Sequence, residues 1–172
     1  MDVDTSGVPE DGRTTALMSE IGDSLAAHGF RPVSTRKYLA SEVALLLKRQ
    51  TFNTNRAVVV IRLRQLEEDF DSYLKQLRRG VARECGFIPF FWGIGIQVVV
   101  LVDDLREWPP SLSRYLAVID NQWAIVQSIF IVDRRRGEYR SARTWGQVIS
   151  GKFQDAIDAV LARRFRRSDS AA

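Results

Sequence analysis

Apolar residues recur every three to four positions in three stretches of the chain, the spacing that places them on one side of an α-helix. In the first, Leu17, Ile21 and Leu25 share a stripe that follows Asp11 and stops at Gly29, a residue suited to closing a helix. In the second, 66–85, the stripe is Leu66, Phe70, Leu74, Leu77 and Val81; acids crowd its first turn, bases its last, and Gly86 ends it. The third follows Gly151, with Phe153, Ile157, Val160, Leu161 and Phe165 on one face and Asp155 and Asp158 outside it. Each stripe is one-sided, so each helix is expected to lie on another layer.

That layer reads as a sheet. "EVALLLKRQ" (42–50) and "RAVVVIRLR" (56–64) are β-rich runs joined by "TFNTN", whose asparagines suit a turn. "GIQVVVLV" (95–102) is apolar on both faces and suits a central strand. "QWAIVQSIFIVD" and "EYRSART" flank "RRRG", the pattern of a second hairpin with Gly137 in its turn. Between these regions "DDLREWPPSLSR" is loop-like, because adjacent prolines deny it helix interior and ladder donors alike. Hairpins imply antiparallel pairs, and the long second helix permits a parallel crossover. The expectation is one α+β domain over 13–166: a mixed, mostly antiparallel sheet of about five to seven strands packed with three amphipathic helices. A polar, disordered segment, 1–12, precedes it and a loose tail, 167–172, follows.

Composition agrees with this picture. The 172 residues suit one domain, and the 45% apolar and 27% charged shares are those of a soluble globular protein. The longest apolar run, Phe87 to Val102, falls short of the ~20 residues of a membrane helix and is broken by Pro89 and Gln97. The lone Cys85 excludes an internal disulfide and fits core filling in a reducing compartment. "MDVDTSGVPEDGR" lacks the basic start and apolar stretch of a secretory signal, so a cytoplasmic location is expected, with no membrane partner.

Several groups are candidates for chemistry. "GQVISGK" (146–152) matches a P-loop until Phe153 replaces the final hydroxyl residue. Val148 and Ile149 resist the backbone angles of a phosphate cradle, so Gly146 and Gly151 read as loop and helix-start glycines and Lys152 as a solvated base. His28, with no second histidine to complete a site, reads as a capping or surface group. The net charge of +4 gathers in "KQLRR" (75–79), in Arg134, Arg135 and Arg136, and in "ARRFRR" with Arg163 and Arg164. Those arginines form an alternative nucleic-acid face, against a reading as solvated helix ends. Asp103, Asp104 and Asp133, with Asp120, collect at strand ends and are an alternative metal site if they converge. Gln97 and Gln127 interrupt apolar strands and are expected to pair with each other, with Ser128 on the opposite face.

With a short first strand drawn from 32–39, the order helix, three strands, helix, strand is similar to that of the restriction-endonuclease-like core over roughly residues 14 to 102. That resemblance implies phosphodiester chemistry through an acid on one strand and an acid-x-lysine on the next. Here "VVVIRLR" holds neither acid nor lysine, and Glu42 has no evident partner, so the resemblance leaves an α/β scaffold without the catalytic motif. The aromatics Phe90, Phe91, Trp92 and Trp108 bracket the central strand and suit a protein interface. The leading expectation is therefore a non-catalytic protein with no cofactor. It binds another protein, or a second copy of itself, through an aromatic-rich loop or an exposed sheet face.

Overall fold

Seven strands form one sheet in which spatial order repeats chain order. The computed structural model describes residues 12–34, 37–50, 55–66, 68–86, 93–116, 124–144 and 147–168, with 147–150 as backbone. Along the chain run α1 (Gly12–Ala26), β1 (Arg31–Pro32), β2 (Val43–Gln50), β3 (Asn55–Leu63), α2 (Phe70–Glu84), β4 (Ile94–Val102), a 3-10 turn (Ser113–Tyr115), β5 (Ala124–Asp133), β6 (Glu138–Arg143), α3 (Gln147–Arg164) and β7 (Arg166–Arg167). The single α+β domain expected from the pattern is present. The short first strand expected from 32–39 stands at Arg31–Pro32.

Parallel and antiparallel pairings are equal in number. β1–β2, β2–β3 and β5–β6 are antiparallel; β3–β4, β4–β5 and β6–β7 are parallel. The parallel centre follows from the two long connections, α2 and the Pro109–Pro110 segment, each of which carries the chain back to start a strand at the same end. β4 holds the middle place, as a strand apolar on both faces should.

Alternation along the strands divides the core. Ala57, Val59 and Ile61 with Ile96, Val98 and Val100 face α2 and the turn residues Leu112 and Tyr115. Val58, Val60, Val99 and Phe130 face α1 and α3. Fully burying one such aliphatic or aromatic side chain is worth ~1.5–3 kcal/mol, so the double layer is the main source of stability. Helices lie on both faces of the sheet, and among the described strand residues the start of β5 carries an exposed large apolar side chain, Ile125, at 42%.

Three boundaries differ from the sequence reading. α2 begins at Phe70, after the bend at 64–65 and the turn at 68–69. α3 begins at Gln147, so Gly151 lies inside a helix rather than at its start; the ~1 kcal/mol cost of that glycine is small against the burial of Phe153, Ile157, Val160 and Leu161. β7 takes Arg167 into the sheet, and Ser168 donates its N–H to the Tyr139 carbonyl at 2.9 Å, shortening the tail. No helix among the described residues is long and apolar enough to cross a membrane.

Candidate functional site

The parallel register sets Leu63, Val102 and Asp133 level at the carboxyl ends of β3, β4 and β5. The ladder continues past them: Asp103 donates its N–H to Leu63 at 3.0 Å, and Arg134 donates to Val102 at 3.0 Å. Asp103, Asp104 and Asp133 therefore do share one edge, but the arginines of the next turn share it with them. Asp103 accepts from Arg62 at 3.3 Å and from Arg134. Asp104 faces Arg135 at 3.3 Å. Asp133, 1% exposed, accepts the Arg136 N–H at 2.9 Å, and the Arg136 guanidinium stands 3.5 Å away.

The acid cluster and the arginine run expected from the sequence thus stand side by side at this edge. Among the described residues no group of three or more His, Cys, Asp or Glu is placed to hold a metal ion. Arg134, Arg135 and Arg136 each stand beside one of these carboxylates, and the Arg135 side chain remains 76% exposed. Arg164 and Arg163 bind Glu20 of α1, at 3.1 and 4.0 Å. In "KQLRR", Arg78 is 3% exposed, so that run is not a wholly solvated helix end.

Beside this edge lies an open cleft of about 660 Å³ whose walls include Leu66, Leu105, Trp108, Tyr115, Arg106 and Arg114. Trp108 is half-buried: one side packs on the α2-side core and the Arg140 guanidinium stands 4.7 Å from its ring centre. Tyr115 meets Phe70 edge-on at 5.1 Å, and Arg114 is fixed by Asp71 at 2.7 Å. Phe90, Phe91 and Trp92 lie outside the described residues, as do Asp120, Trp145 and Gly146.

The opposite end of the sheet carries a different set. Arg49 and Arg56 face each other directly across β2 and β3. Their guanidinium carbons stand 5.2 and 5.0 Å from the centre of the buried Phe153 ring, and the Lys152 ammonium stands 5.2 Å from it. His28 meets the same ring edge-on at 5.6 Å. Burial, and then the charge of Arg49, push the Arg56 pKa down. One level further in, Gln97 donates to Gln127 at 3.0 Å, the pairing its position implied. β5 bulges there, pairing Val126 with Ile96 and Ser128 with Gln97. The extra residue puts Ser128 on the same side as Gln127, not the opposite one.

The sequence reading overlooked Arg49 and Arg56, although their signal was legible. In "KRQTFNTNR" an arginine stands on each arm of a hairpin, so closing the turn brings them together. The "GQVISGK" stretch is helical from Gln147, so helix stands where a P-loop has its phosphate-cradling loop. Cys85 packs in the core with its thiol pushed up to about 11 by burial, the reverse of an activated nucleophile. No protein family, curated protein or solved structure matches the chain.

Proposed function

We propose that this is a non-catalytic binding protein that docks another protein, or a second copy of itself, in the cleft around Trp108. The observation that carries the reading is the composition of that cleft. A half-exposed tryptophan, pinned by Arg140, stands among Leu66, Leu105 and Tyr115, within a rim of Arg106, Glu107 and Arg114. Aromatic and arginine anchors inside a polar rim concentrate binding energy in protein interfaces, and a pre-fixed ring loses little entropy on contact. Asp104, beside Arg135, adds an acidic group to the cleft wall.

A photo-crosslinking residue placed at the exposed Glu107 should trap a partner or a second copy; the same residue at Ala159, exposed on α3, should not. Trp108→Ala and the surface change Arg106→Glu should each lower the yield at position 107 by at least several-fold. Equal trapping at 107 and 159, or yields indifferent to both changes, would contradict the proposal.

A further inference from the structure

We propose that Arg49, Arg56 and Lys152 form a binding site for a phosphate group, with the Phe153 ring as its floor. The site stands at the far end of the sheet from the Trp108 cleft and is independent of it.

The argument begins with charge. Like charges directly opposite on paired strands are destabilising, yet the β2–β3 register sets Arg49 against Arg56. Lys152 joins them from α3. Because all three stand 5.0 to 5.2 Å from one ring centre, they lie within about one screening length, ~10 Å at 0.1 M salt, of each other. No carboxylate forms an ion pair with any of the three among the described residues. The arrangement contrasts with the other end of the sheet, where arginines find aspartates. Cation–π contact with Phe153 offsets part of the repulsion, but one neutral ring cannot discharge three cations.

A second observation is independent of charge counting. Arg56 is 7% exposed, and its Nη1 is buried without a hydrogen-bond partner. A buried guanidinium donor left open is costly, and an anion would satisfy it. The surroundings then fix the access. Arg49 is half-buried and runs beside Gly29, whose φ of +82° closes the α1 turn; a side chain at Gly29 would touch the Arg49 Nε and Cδ. Lys152 is exposed, so the site opens toward solvent on its side.

The chemistry selects phosphate. Two guanidinium forks match tetrahedral oxygens bidentately, and a charge near −2 balances the three cations better than a carboxylate would. The group could come from a small phosphate ester or from the end of a nucleic-acid strand, and both present the same oxygens.

The test is calorimetric titration and thermal melting of the full chain with inorganic phosphate, against chloride at matched ionic strength. Phosphate should bind and raise the melting temperature beyond chloride; Arg49→Gln and Lys152→Gln should each weaken binding at least five-fold while still folding. Arg56→Met should match or exceed wild-type stability at low salt and lose the phosphate-induced rise. Titration with AMP, and with a short oligonucleotide with and without its 5′-phosphate, separates the sources: AMP tighter than either strand assigns a small ester, and a strand that binds only when phosphorylated assigns a strand end. A phosphate response equal to that of chloride, or one unchanged in both glutamine variants, overturns the proposal. So does an Arg56→Met variant that is destabilised yet keeps its full phosphate response, since that marks a packing role alone.

Discussion

At the scale of single residues, Gly95 is closely constrained. A methyl group there would overlap the Gln127 side-chain amide, which lies across β4 to reach Gln97. The bulge in β5 supplies the extra residue that makes this reach possible. Gly95→Ala should therefore displace Gln127 and leave the fully buried Gln97 amide short of its partner, costing ~1–3 kcal/mol. Urea denaturation should show a lower midpoint with an unchanged slope; an unchanged midpoint would mean the amide swings aside without loss. The amide pair itself was legible in the sequence, because two polar residues interrupted strands that had to be neighbours. The bulge was not: one unpaired residue leaves no mark on composition, yet it reverses the side on which Ser128 lies.

At the scale of elements, two helical glycines separate packing from propensity. Gly22 in α1 has open space where a side chain would go, so Gly22→Ala should stabilise by ~0.5–1 kcal/mol through helix propensity and reduced freedom of the unfolded chain. Gly80 in α2 has the same propensity to gain but lies under the Tyr38 carbonyl, where a methyl would collide with backbone. Gly80→Ala should lower the melting temperature, opposite in sign to Gly22→Ala; two shifts of the same sign would refute the close approach. Periodicity located all three helices because the stripe is a local signal. It misplaced two of their starts, since Phe70 and Gln147 begin helices where the chain comes off a sheet edge, and that point is set by strands distant in sequence. The same limit hid the edge chemistry. Asp103 and Arg134 are separate alternatives in the sequence, and only the β4–β5 register shows that they pair with each other.

At the scale of the whole molecule, charge is sorted by the sheet. One end holds paired acids and arginines, the other holds cations without an acidic partner among the described residues, and between them lies an interior that resists ionisation. Burial is the largest cause raising the pKa of Tyr115, Tyr139 and Cys85, the last from its ordinary 9.0 to about 11. A raised pKa means that the fold prefers the neutral form. Its contribution is complete below the unfolded value and is lost as pH climbs through the folded one. For Cys85 that window is roughly pH 9 to 11, and the thiol's share is on the order of 1–3 kcal/mol. Cys85→Ala should be less stable than wild type at pH 8, because it opens a small cavity in the core beneath α2. The gap should then narrow as pH rises from 9 to 11, since the wild type alone must keep a thiol from ionising. Tyr115 and Tyr139 titrate in both proteins and drop out of the difference. Chemical denaturation of the pair at half-unit pH steps measures it, and stability curves that stay parallel across the window would show that the thiol reaches water before the chain unfolds.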